Sequence, residues 1–474
     1  MTFTPKPTNA EVLTSDSEVT KQVRDSVESA FTQRVAALGQ LVRIPGIAWD
    51  AFDPKDLDRS AEAVAELFRS TGVFDTVEIK SATVDGIPGA PAVLASRAAK
   101  NGKPHVLLYA HHDVQPPGDE SVWLTPAFEP TTQDGRIYGR GAADDKAGVI
   151  THLAAIEALK SIAGEDFDLG ISIFIEGEEE AGSRTFRAFL DENKAKLAAD
   201  VIVVADSMNW SPEIPALTVS LRGMVSQEIT VRTMEHAVHS GMFGGAVPDA
   251  MIPMLRVLAS LHDEKGSVAV SGLKTYKFED LPYTEANLRE ESSLLPQVSQ
   301  IGEGGIMERI WGKPSITVIG LDVPSVAMSS NTLLPQVSAK ISLRIASGQD
   351  PDEALELLRE HLKANIPFGA VLEFGKIETG KPYMADTSGW ASILAKETLG
   401  AAFGNPAIEI GIGGSIPFIA DLTEVFPDAQ ILVTGVEDAD SRAHSPNESV
   451  HLLGLKNAMV AEALFLVSGN NLQG

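Results

Sequence analysis

The first apolar positions recur at helical spacing. Val23, Val27, Phe31, Val35, Leu38 and Leu41 form one stripe over Glu18–Val42, and Pro45-Gly46 ends the helix they predict. A second helix is predicted over Asp53–Thr71. Asp53 suits its N-cap and Pro54 its first position, while Ala61, Val64 and Leu67 share a face. Strands follow at Thr76–Lys80, Ala92–Leu94 and His105–Tyr109, then a helix at Val149–Ile162. Leu169–Ile175 is β-branched and almost wholly apolar, the pattern of a strand covered on both faces. A helix at Ser183–Leu197 and a buried strand at Val201–Ala205 continue the alternation, which predicts an α/β layered sheet.

The rhythm changes near Leu217. Leu217–Thr233 alternates like a half-buried strand, Asp249–His262 reads as an amphipathic helix, and 263–312 is irregular. Strands at Ser315–Leu321, Val337–Ile345 and Val371–Lys376 flank a helix at Pro351–Asn365. After Gly380 the α/β rhythm returns: a helix at Gly389–Ala402, a Gly-rich turn at Gly411–Ser415, a strand at Ala429–Thr434 and a closing helix at Gly454–Ser468. The expected organisation is an α/β domain over 1–216 and 381–474 with an α+β domain inserted at 217–380. Residues 1–16, polar and rich in Ser, Thr and Pro, read as a loosely attached arm.

Composition narrows the chemistry. In 474 residues there is no cysteine, so disulfides, thiolate ligands and cysteine nucleophiles are excluded, and any transition-metal site must use His, Asp and Glu. A formal net charge of -27 argues against nucleic-acid partners, which need clustered Lys and Arg. Most of that acidity serves solubility. No signal-peptide pattern and no stretch of membrane-spanning length are read in the chain, so a cytoplasmic location without a membrane partner is expected.

The candidate chemistry starts at His111. Side chains alternate along a strand, so His111 and Asp113 leave the His105–Tyr109 strand on one side and His112 on the other. Asp144-Asp145, Glu176 with Glu178-Glu179-Glu180, Asp206 and His444 lie at later strand ends or turns. The carboxyl ends of parallel strands line a ligand-binding crevice. So many carboxylates cannot all ionise together without a cation between them, and two divalent ions about 3.5–4 Å apart, bridged by one carboxylate, would resolve the repulsion.

Four strings carry a resemblance: His111-His112-Asp113-Val114-Gln115-Pro116, Gly139-Arg140-Gly141-Ala142-Ala143-Asp144-Asp145-Lys146, Glu176-Gly177-Glu178-Glu179-Glu180-Ala181-Gly182-Ser183, and Arg442-Ala443-His444-Ser445-Pro446-Asn447-Glu448. Together and in this order, over nearly the whole chain, they resemble the M20 metallopeptidases, in the carnosinase-like dipeptidase subgroup. The resemblance implies a zinc-peptidase-type α/β/α catalytic domain and an inserted lid and dimerisation domain. It implies two divalent ions per subunit, zinc first, with manganese or cobalt also suited. His111 and Asp206 hold one ion in that scheme, Glu180 and His444 the other, and Asp144 bridges them ahead of a cis Asp144–Asp145 peptide. Asp113 orients His111, and Glu179 is the general base. His239, in His239-Ser240-Gly241-Met242-Phe243-Gly244-Gly245, reaches the partner's active site in a homodimer and stabilises the oxyanion. Arg344 forks the carboxylate of a small peptide substrate, which Gly413-Gly414-Ser415 also meets.

The pattern departs at one place. Where the subgroup carries His-Gly-Gly-Lys, this chain reads Glu378-Thr379-Gly380-Lys381, which weakens the expectation of carnosine-like specificity. An N-acyl-amino-acid deacylase is the alternative function, with the same metals, base and Arg344. Other residues stay open at this level: Arg140 as turn residue or carboxylate clamp, Asp145 and Glu176 as supporting or ordinary acids, and His112 and His236 as packing or functional imidazoles. Glu178 reads as a supporting or surface acid, and Trp123 and Trp210 as packing or rim.

Overall fold

The computed structural model describes residues 3–5, 13–278, 281–414 and 417–473. The chain divides into two compact units, Met1–Val219 with Ala385–Ile410 and Asp421–Gly474, and Ser220–Met384 with Gly411–Ala420.

The first unit is built on a mixed sheet. Its middle strands Gly170–Glu176, His105–His111, Val201–Val204 and Gln430–Val433 are parallel neighbours. Ala92–Arg97 and Thr76–Lys80 add antiparallel strands at one side. The Gly170–Glu176 strand is buried along its whole length, as its unbroken apolar run requires. On one face Phe174 stacks on Phe189 of the Phe186–Leu197 helix, ring centroids 4.6 Å apart. Tyr109, the register partner of Phe174, meets it edge-on at 5.5 Å. His111 and Glu176 are register partners two residues further on, so the same alternation carries both to one side.

The Glu18–Val42, Lys146–Ala163, Trp390–Phe403 and Leu452–Asn471 helices pack together. Asp53 accepts from the Lys55 N–H and caps the Pro54–Ser70 helix. The closing helix corrects one expectation. Leu452–Asn471 runs further at both ends than Gly454–Ser468, and by length and composition it could cross a membrane. Its most apolar window is 78% buried in the protein, as a core helix must be. Of the arm expected over 1–16, residues 1–2 and 6–12 lie outside the described residues. The Phe3 N–H donates to Asp200 at 2.8 Å.

The second unit is an antiparallel sheet in the order Ser315–Asp322, Gln336–Ile345, Gly223–Arg232, Val371–Gly380. Every second residue of Gln336–Ile345 is buried, so one face is covered. Val225, Ile341, Met254 and Leu358 join that core, the last two from the Met251–Ala259 and Pro351–Asn365 helices. The Leu217–Thr233 region, read as strand-forming, holds two strands, Ala216–Leu221 and Gly223–Arg232. Residues 263–312, read as irregular, hold a Glu285–Ser292 helix with a Thr284/Asn287 capping box. The subgroup departure, Glu378, is a sheet residue paired with Lys340 at 3.0 Å.

Candidate metal centre

The first unit brings His111, Asp113, Asp144, Glu179, Glu180, Asp206 and His444 together. Ligand atoms of His111, Glu179 and Asp206 lie within 4.8 Å of one another, and so do those of Asp144, Glu180 and His444. Asp144 touches both groups. Its Oδ1 faces His111 Nε2 at 3.0 Å and its Oδ2 faces His444 Nε2 at 2.9 Å. Asp206 is 4.0 Å from His111 Nε2, and Glu180 3.2 Å from His444 Nε2. The Asp144–Asp145 peptide is cis.

Each side chain has a holder. His111 Nδ1 lies 3.1 Å from the Asp113 carbonyl and 3.4 Å from its carboxylate, which leaves Nε2 aimed at Asp144. Asp113 also accepts the backbone N–H groups of Glu179 and Glu180, at 3.1 and 3.0 Å. Gln115 donates to Glu180 at 2.7 Å. Asp145 accepts the His111 N–H at 3.1 Å. Glu178, read as a supporting or surface acid, is buried and accepts from Thr185 and from the Ala90 N–H. His112 packs: its Nε2 donates to the Pro91 carbonyl at 2.7 Å, and burial pushes its pKa down to about 4. Gly177 passes over that ring, where an added Cβ would lie 2.8 Å from Nε2. Trp123 packs beneath Arg140, its ring 5.4 Å from the guanidinium.

Sequence reasoning missed Glu448 as a functional residue. It is fully buried and accepts from the N–H groups of Gly141, Ala143 and Asp144, at 3.1, 2.9 and 3.1 Å, and from Arg140 at 2.6 Å. Arg140 is therefore a carboxylate clamp, and Glu448 fixes the loop that presents Asp144. Gly141, at φ 80°, lies so close to Val114 that a Cβ would stand 2.5 Å from it. His444 comes from a tight loop in which Arg442, His444 and Asn447 all have positive φ. Asn447 anchors that loop, accepting from the Leu124 N–H at 2.6 Å and donating to the Val122 carbonyl.

Burial and mutual repulsion shift most of these groups from their ordinary values. Burial, with Asp144 nearby, pushes Glu180 up to about 8, and burial pushes Asp206 up to about 6. Burial and Asp206 hold Glu179 well above the ordinary carboxylate range. The hydrogen bond that its ring donates to Asp144 raises His444 to about 9. His111 stays well above its usual value despite its burial, because Asp113 and Asp144 are beside it. Two imidazole nitrogens among carboxylate oxygens form a donor set that suits divalent transition ions.

The other predicted residues lie in the second unit. His239 is exposed and caps the short Ser240–Phe243 helix. Its Nδ1 accepts the Gly241 N–H at 3.0 Å, which leaves Nε2 as the donor. Arg344 is on the Gln336–Ile345 strand, opposite Ser315 and Met224. Gly414 is half-buried in a bend, and Ser415 lies outside the described residues.

Residues 107–467 match the profile of peptidase family M20/M25/M40. The chain is 34% identical over 387 residues to a cysteinylglycine-S-conjugate dipeptidase of Corynebacterium striatum, covering 81% of this chain and 85% of that one. It is 28% identical to the β-Ala-His dipeptidase of Rattus norvegicus, over 84% of each. Among solved structures, the dipeptidase Dug1p of Saccharomyces cerevisiae shares the fold, with a TM-score of 0.76 at 22% identity over 95% of this chain and 98% of that one.

Proposed function

Since the chain belongs to peptidase family M20/M25/M40, we propose that it is a dinuclear metal-dependent dipeptidase, hydrolysing the amide bond of dipeptides or short peptides that end in a free carboxylate. It is a metallopeptidase by family. The observation that carries the two-ion reading is Asp144, which faces a different imidazole with each oxygen. His111 and Asp206 would hold one ion and Glu180 and His444 the other, with Asp144 facing both sets. Divalent ions held there, zinc foremost, would supply Lewis acidity to a carbonyl oxygen and to water near neutral pH.

Glu179 takes the proton of the attacking water and returns it to the leaving amine. Two features support that role: a backbone held by Asp113 and a carboxyl kept unusually basic by burial and Asp206. Asp113 orients His111, and Arg344 with the Gly413-Gly414-Ser415 turn receives the substrate carboxylate. Residues 217–380 act as lid and dimerisation domain on a catalytic domain of 1–216 and 381–474. What supports a homodimer is the Ser315–Asp322 strand, at the edge of its sheet. It exposes Val318 and Ile319 (Ile319 is 56% exposed), and Val326 and Met328 follow. In that dimer His239 donates from Nε2 to the oxyanion in the partner's site.

The dipeptidase relatives favour this function over N-acyl-amino-acid deacylation. The test is a panel of dipeptides and N-acetyl- and N-succinyl-amino acids. Cleavage of the dipeptides is expected, and cleavage of the acylated amino acids alone would overturn the reading.

A further inference from the structure

Arg222 stands at the start of the Gly223–Arg232 strand and is buried, yet it has no carboxylate partner among the described residues. Its Nε donates to the Gly413 carbonyl at 3.4 Å, and its Nη1 to the Lys313 carbonyl at 3.3 Å and Ser315 Oγ at 3.1 Å. Those bonds leave Nη2 without an acceptor among the described residues, and it is not sealed from solvent. Nη2 lies against the Gly413 turn, 3.1 Å from where a Cβ on Gly413 would stand.

The neighbour of this guanidinium is another guanidinium. Ser315, which Arg222 holds, is the cross-strand partner of Arg344, so Arg222 and Arg344 share one face of the sheet. Arg344 makes no hydrogen bond or ion pair with a described residue. Burial and the like charge of Arg344 push Arg222 down to about 10. Two cations side by side, one of them buried and neither neutralised, are unfavourable unless an anion sits between them. Three of the five donors on Arg222 are spent on the protein, two on backbone carbonyls and one on Ser315 Oγ, which fixes its plane before any ligand arrives. A guanidinium held in a set plane with one nitrogen free suits one oxygen of a planar carboxylate.

We propose that Arg222 and Arg344 form a single carboxylate clamp, in which Arg222 offers Nη2 to the second oxygen and steadies the Gly413 turn. The enzyme thereby selects peptides with a free terminal α-carboxylate over their amides. The proposal rests on the assignment of Arg344 to that carboxylate and adds a second guanidinium to it.

The test compares Cys-Gly with Cys-Gly amide on the metal-loaded enzyme, using KM, or Ki where the amide is not turned over. For Arg222→Gln, the KM for the free acid should rise about ten- to a hundredfold, as expected for losing a charged hydrogen bond, with kcat and the amide constant little changed. Equal weakening of acid and amide would show that Arg222 only pins the Gly413 turn, and would overturn the proposal. Arg222→Lys keeps the charge without the fork. It should show a smaller loss confined to the acid, and it decides the matter if the Gln variant does not fold. Arg344→Gln separates the two assignments. An unchanged acid-to-amide ratio in that variant overturns the Arg344 reading, whereas a changed ratio there with none in the Arg222 variants overturns only the clamp.

Discussion

The Asp113 carboxylate holds the backbone N–H of Glu179 at 3.1 Å while its own residue steadies the His111 ring. One buried acid therefore sets both the imidazole proposed as a metal ligand and the peptide that carries the candidate base. Asp113→Asn swaps an acceptor for a donor at one of those N–H groups. We expect metal affinity to fall about 10–100-fold, the usual cost of losing such support, and kcat to fall at saturating metal as well. Metal titration followed by steady-state kinetics checks both. Unchanged affinity and kcat would show that Asp113 positions nothing.

Glu448 and Arg140 form a buried pair with side chains 0% and 2% exposed. Glu448→Gln leaves the Arg140 charge buried without its counter-charge, a change that costs about 3–5 kcal/mol at such sites. The urea midpoint of the metal-free protein should fall accordingly. Metal affinity should fall too, because the loop that presents Asp144 loses its anchor. A loss of unfolding free energy under about 1 kcal/mol would mean that water replaces the carboxylate at little cost.

Protons and metal compete at this centre. Without metal, Glu180 is raised from 4.5 to about 8 and His444 from 6.5 to about 9. A raised pKa means that the folded state binds protons more tightly than the unfolded chain. The stability this brings is complete below the unfolded value and lost as pH climbs through the folded one. The Tm of the chelated protein should therefore fall between about pH 4.5 and pH 9, through Glu180 first and His444 above about pH 6.5, while the stabilisation by added zinc grows over the same window. Thermal unfolding with chelator and with zinc measures both. A rise in the chelated Tm across that window would contradict these shifts.

The exposed edge strand gives a test of assembly. Ile319→Asp places a charge on that exposed edge strand and should convert the proposed dimer to monomer in sedimentation. With His239 acting from the partner, the monomer should lose about 10²–10³ in kcat, the scale of one oxyanion donor, and still bind metal. A monomer with full activity would remove His239 from the mechanism.

Much of this could be read from residue order. The Glu18–Val42 and Pro351–Asn365 helices fall where their periodicity puts them, because their apolar stripes are complete and their ends carry Pro or Asp signals. The alternation that sends His111 and Asp113 to one side is a property of any strand. Lys146–Ala163 starts three residues before the predicted Val149 because Lys146 looks like a surface residue. Its ammonium is in fact buried, donating to the carbonyls of Leu41 and Ile44 at 2.9 and 2.7 Å. The short Pro417–Val425 helix went unread because it follows a Gly-rich turn with little room to show a period. Glu448 was invisible as an anchor for a different reason. Its partners lie about three hundred positions earlier in the chain, and only the folded loops bring them together.

The most direct test titrates metal-stripped enzyme with zinc while following Cys-Gly hydrolysis, with Glu179→Gln in parallel. The wild type should be inactive in chelator and reach its plateau at two equivalents per chain. The variant should bind the same two ions and turn over about 10²–10⁴ times more slowly. Hydrolysis by the fully chelated enzyme, or a plateau that Glu179→Gln reaches unimpaired, would contradict the account.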